Sequence, residues 1–170
     1  HPIEFRQRAC RFVMAHDVTA REQAARKLAR LNRVYAVLSG INSAIVRIRD
    51  RSALFKEACR LATAEGGFLG AFITIPRPGG KSMLLAAQSG RRLPPVPSEL
   101  APLCPPERVV REQQPVVCND ISGDRAFSLL AERMQVHDIR ALAAFPLMVG
   151  ERIDAVLTLR VRNDVSGIDA

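Results

Sequence analysis

The stretch ALAAFPLMVGERIDAVLTLRV, residues 141–161, places two apolar runs on either side of Gly150. Each run is long enough for a strand, and the glycine between them supplies a tight turn, so the segment reads as a β-hairpin. Pro146 has no N–H to offer a neighbouring strand, so its position is expected to be edge-like or bulged. Further strands stand upstream. GFLGAFITI (67–75) is nearly continuous in apolar residues, as a central strand is. RPGGK then makes a turn, and SMLLAAQSG (82–90) returns as a second strand. PVVCNDI (115–121) is a short strand after a proline.

Between these strands lie helices and one long loop. RDRSALFKEACRLATAEGG (49–67) is a helix capped by Asp50 or Ser52 and stopped by Gly66 and Gly67. Leu54, Phe55, Ala58, Leu61 and Ala62 form its apolar face. Residues 91–106 carry six of the eleven prolines, too many missing N–H groups for a strand. They are expected to form a loop with at most a helical turn around Ser98 to Leu103. Such a loop is either a binding lid or a stiff crossover. ERVVREQQ (107–114) is a short helix, and GDRAFSLLAERMQVHDI (123–139) another, capped by Asp124 with Phe127, Leu130 and Met134 on one face. The order defines an α+β fold, a mostly antiparallel sheet with helices packed against it.

The N-terminal part obeys a different period. VMAHDVTAREQAARKLARL (13–31) begins as a strand and turns into a helix at Thr19, which can cap it with Glu22 completing a capping box. Arg21, Ala24, Leu28, Leu31, Tyr35, Leu38, Asn42, Ile45 and Arg49 then recur at alternating spacings of three and four. That is a heptad seam on a long helix of coiled-coil type, with Asn42 as a register-setting polar position. A second stripe runs through Val34, Val37, Ile41 and Ile48. Two stripes call for two partners: the helix's own domain and a second copy of the chain. A homodimer through the seam from Ala24 to Ile45 is expected.

Charge excludes one class of partner. The net charge of +8 resides wholly in residues 1–60, with 13 basic and 5 acidic residues; residues 61–170 hold 12 of each. The arginines flank a helical repeat with only Tyr35 interleaved, the pattern of a solvated helix surface rather than of nucleic-acid recognition. No apolar run reaches the length of a membrane span, so no membrane partner is expected. Four scattered cysteines (Cys10, Cys59, Cys104, Cys118) without a CxxC suit free thiols in a reducing cytoplasm. Neither a metal site nor a resident cofactor is expected.

Taken in order, GINSAIVRIRDRSALFKEACRLATAEGGF, PVVCNDISGDRAF and ALAAFPLMVGERIDAVLTL resemble a bacterial GAF domain over about residues 35–162. The resembling segments are Val117 to Ile121, Asp124 to Phe127, and Phe145 through Leu159. ACRFVMAHDVTAREQAARKL resembles the last strand of a PAS domain running into its output helix, with Asp17-Val18-Thr19 at the Asp-x-Thr junction. The resemblance implies a PAS remnant (1–18), a linker and dimerisation helix (19–49), a GAF core (50–162) and a cut tail (163–170). Similar arrays precede GGDEF and EAL domains, which make or degrade cyclic di-GMP, and also histidine kinases.

The resemblance further implies a small-molecule pocket on one side of the sheet, lined by Phe72, Thr74, Leu85, Val117, Asn119, Asp120, Phe127, Leu130, Met134 and Phe145. The same residues would also serve simply as core. Cyclic-nucleotide-binding members carry an Asn-Lys…Phe…Asp-Glu pattern; here Asn119-Asp120 and Phe127 lack the Lys and the Asp-Glu. A bilin needs a Cys close to a His, and Cys118 lies far from His137 in sequence. His137 is the one histidine that could ligate haem. A related family reduces free methionine sulfoxide with clustered cysteines, whose flanking motifs are missing around Cys59, Cys104 and Cys118. No catalytic residue is expected in this segment.

Overall fold

A computed structural model describes residues 2–5, 8–11, 28, 32, 35–37, 39–79, 82–92 and 96–162. The chain divides into two compact units, His1–Asn32 and Arg33–Ala170. In the first, β1 (Pro2–Phe5) pairs antiparallel with β2 (Arg8–Arg11). The strand expected from Val13 lies outside the described residues; this two-stranded ribbon stands ahead of it. Asp17, Thr19, Ala24, Leu31 and Leu38 lie outside the described residues, as does the tail from 163.

The second unit follows the expected order of elements. Helix α1, described at 35–37 and 39–47, is followed by α2 (Arg51–Ala64). Asp50 separates them: its Oδ1 accepts the Ala53 N–H at 2.6 Å, which caps α2 and explains the break. Strands β3 (Gly70–Pro76) and β4 (Met83–Gly90) come next. Among its described residues the proline-rich segment holds a 3-10 turn at Ala101–Leu103 and then the start of the next helix at Pro105, where a missing N–H is tolerated. Then follow α3 (Pro105–Glu112), β5 (Val116–Cys118), α4 (Ser128–Val136), β6 (Ala141–Val149) and β7 (Arg152–Val161).

The five strands form one antiparallel sheet in the order β4-β3-β7-β6-β5. Gly150 turns β6 into β7 with φ of 62°, a conformation glycine adopts freely. Pro146 is tolerated because β5 reaches only as far as Ala144, which leaves that side of β6 open. The register slips just beyond it, between Leu147 and Met148.

Each face of the sheet carries its own core. Between α2 and the sheet lie buried residues, Cys59 and Ala62 from the helix and Ala71, Ile73, Ala87 and Ala155 from the strands, most of them small enough to let helix and sheet approach closely. Beneath α3 and α4 lie larger ones, including Val109, Val116, Phe127, Leu130, Leu142 and Val156. Helix α1 adds to its own unit through one side. Ala44 is fully buried, and a Cβ on Gly40 would stand 3.0 Å from Leu61 Cδ2. Val37, Ile41 and Ile48 are half-buried on that side, while Tyr35, Asn42, Ile45 and Val46 are exposed. Leu28 is helical and exposed. A coiled coil is not a feature of the described fold.

Candidate ligand-binding face

Strand register places side chains on the α3-facing side of the sheet in rows. One row runs Gln88, Phe72, Thr158, Ala144 and Val116; the next runs Gly90, Gly70, Arg160, Leu142 and Cys118. On the other flank stand Leu85, Thr74, Val156 and Pro146. Directly paired residues share a face, so the apolar members identify the side that α3 and α4 cover.

Among these apolar neighbours sit polar groups that find no hydrogen-bond partner among the described residues. They are Thr74 Oγ1, Thr158 Oγ1, Arg160 Nε and, on α3, Glu107 Oε2. Buried polar atoms are ordinarily paired, so several orphans on one face are a departure that calls for a reason. Arg160 is only 4% exposed. Its Nη2 donates to the Arg91 carbonyl at 2.6 Å, and its guanidinium carbon lies 5.1 Å from the centre of the Phe72 ring. It forms no ion pair with a carboxylate among the described residues. Burial pushes it down to about 10. Burial likewise holds the Glu107 carboxyl above the usual range, against a hydrogen bond from the Met83 N–H.

The residues expected to line a pocket divide into four groups. Phe72 and Thr74 stand on this face, and Leu85 joins them from the edge strand, half-exposed. Phe127 and Leu130 are fully buried in the core with Met134 packed beside them. Val117 and Phe145 belong to the opposite face: Val117 pairs with Ala143, and Phe145 with Leu157, a residue of the α2 core. Asn119 and Asp120 are exposed, and Asp120 builds a turn, its Oδ1 accepting the Ser122 N–H at 3.1 Å. Sequence reasoning missed Thr158, Arg160 and Glu107. A signal for two of them existed in DAVLTLRV, where Leu157 and Leu159 alternate with Thr158 and Arg160.

The described thiols are divided between the two sides of the sheet. Cys59 lies on the α2 side of the sheet, whereas Cys104 and Cys118 lie on the other. Burial pushes Cys59 up to about 11 and Cys104 and Cys118 up to about 12, which disfavours the thiolate needed for nucleophilic chemistry. His137 ends α4, and its carbonyl accepts from Arg91 Nη1 at 3.1 Å. Among the described residues no three His, Cys, Asp or Glu side chains come together as a metal site. Nor does any described helix have the length and apolarity to cross a membrane.

The fold is a five-stranded antiparallel sheet with helices on both faces, and buried polar atoms stand without partners on one of them. A model of the GAF domain family matches residues 49–169, and the chain belongs to that family. Solved structures with the same fold include the free methionine-R-sulfoxide reductase of Neisseria meningitidis in complex with its substrate. It is 15% identical, with 77% of this chain and 74% of that one covered and a TM-score of 0.64. The A. aeolicus nlh2 GAF domain in an inactive state is 17% identical, with coverages of 82% and 83% and a TM-score of 0.60. A GAF domain region from a putative membrane protein of Geobacter sulfurreducens is 18% identical, with coverages of 69% and 80% and a TM-score of 0.59. At such identities the likeness is one of fold. No curated protein matches the chain significantly.

Proposed function

We propose that this chain is a cytoplasmic sensory module that dimerises through α1 and relays small-molecule binding along helical linkers to an output domain. The observation that carries this reading is the division of α1. Ala44 is fully buried in its own unit, while Val46, two residues on, is 82% exposed and Tyr35 is 74% exposed. An apolar stripe turned away from the domain is the surface a second copy would cover. A rod packed on the sensor by one side and on its twin by the other converts a shift in the core into a shift between subunits, because packed interfaces are bistable. On this reading a PAS domain precedes the rod, and the output belongs to cyclic di-GMP signalling through a GGDEF or EAL domain. A histidine kinase would use the same relay.

The segment itself performs no catalysis in this proposal. Burial disfavours the thiolate at each described cysteine, and Cys59 is separated by the sheet from Cys104 and Cys118, which supports a binding role over a reductase role. Light scattering of the purified chain tests the dimer: a mass of two chains is expected, falling to one in Ile45→Arg. A monomer at high micromolar concentration would refute the relay. Cyclic di-GMP turnover by the full-length protein, with and without Ile45→Arg, tests the output.

A further inference from the structure

We propose that the α3-facing side of the sheet takes a small monocarboxylic acid, whose carboxylate is the counter-ion that Arg160 lacks. This rests on the reading of the domain as a ligand-responsive sensor and names the chemistry of what it senses. A cation removed from water is costly unless a charge of opposite sign and good hydrogen bonds replace the solvent. Arg160 is nine-tenths buried, yet its described partners are one neutral carbonyl and one aromatic face. A latch to the Arg91 carbonyl explains Nη2. It leaves Nε without a partner, and it leaves Thr158 Oγ1 without one as well.

Thr158 is 1% exposed and is the next residue along β7 to face the same side, about 7 Å from Arg160 along the strand. A carboxylate matches this pair: two oxygens in a plane for a guanidinium fork, and a lone pair to spare for the threonine hydroxyl. One negative charge balances one guanidinium. A phosphate carries closer to two, and the excess would be buried without compensation from this guanidinium. Leu142 is the register partner of Arg160 on β6 and the Phe72 ring lies against its guanidinium, so the stem behind the carboxylate is apolar.

The test compares acids with their own amides. Isovalerate and benzoate, and isovaleramide and benzamide, are added at constant ionic strength while the unfolding midpoint is followed. The acids should raise the midpoint by about 5 °C or more at a hundredfold excess over Kd, and the amides should not. Arg160→Met should lose the effect, and Thr158→Val, nearly the same shape, should weaken acid affinity several-fold. Equal stabilisation by acid and amide would overturn the carboxylate while leaving a sensor of neutral ligands. Indifference of the wild type to all four compounds would overturn the proposal. Light scattering then reports separately whether the dimeric relay survives.

Discussion

Gly70 and Arg160 are register partners across β3 and β7, and the guanidinium occupies the space that a side chain at position 70 would need. A Cβ there would lie 2.5 Å from Nη2 and 3.1 Å from Cζ, with the Arg91 carbonyl also at 3.1 Å. The glycine therefore seats Arg160 flat over β3, where Nη2 reaches the end of β4 and joins three elements at one point.

Gly70→Ala is expected to destabilise the domain by about 1–3 kcal/mol, as overpacking of a buried site does. The cause is testable by a double-mutant cycle in chemical denaturation. In an Arg160→Met background the more flexible side chain can move aside, so the same substitution should cost markedly less. Equal costs in both backgrounds would place the strain on the Arg91 carbonyl instead.

Helix α1 should respond oppositely on its two sides. Ala44→Glu buries a charge against the domain and should lower the unfolding midpoint sharply, whereas Val46→Glu should leave it nearly unchanged. Under the proposed relay, Val46→Glu instead halves the mass seen by light scattering. Equal loss of stability from both changes would contradict the two-sided description of the helix.

The described thiols should be slow to alkylate. With Cys59 raised to about 11 and Cys104 and Cys118 to about 12, iodoacetamide at pH 8 should label them at a small fraction of the rate seen in urea. Peptide mass mapping separates these three from Cys10. Rapid labelling of Cys118 in the folded protein would reopen thiol chemistry as a function.

Glu107 predicts a pH dependence of definite sign. Its carboxyl is raised above the ordinary value by burial, so between the unfolded and folded values the native state keeps a proton that the unfolded chain releases. Its contribution to stability is therefore present below the unfolded value and is lost as pH rises through the folded one. Glu107→Gln stays neutral and should gain stability relative to wild type as pH climbs from 4 to 7. Denaturant midpoints at several pH values check this; parallel curves would show that Glu107 is solvated.

Much of the fold was legible because its signals are local. Asp50 caps α2 through a bond to a residue three positions away, Gly150 turns a hairpin by its own φ, and the prolines of 91–106 forbid a strand by lacking N–H groups. The helical character of α1 was readable too, since a helix displays its periodicity in the sequence, but Ala24, Leu31 and Leu38 of the expected seam lie outside the described residues. The α3-facing side of the sheet was only partly legible. Phe72 and Thr74 were placed on it, but Val117 and Phe145 were assigned to the wrong side.

Over residues 50–162 the amino-acid sequence by itself determined which segments are helix, strand or turn, and in what order they follow. Caps, glycines, prolines and apolar spacing act over a few residues. Only the tertiary structure decided which face each strand residue serves. Side chains alternate from one residue to the next, so a one-residue shift of register exchanges the two sides of the sheet, and pairing across β3, β7 and β6 sets that register. That pairing, together with the bare backbone at Gly70, is what takes Arg160 out of water.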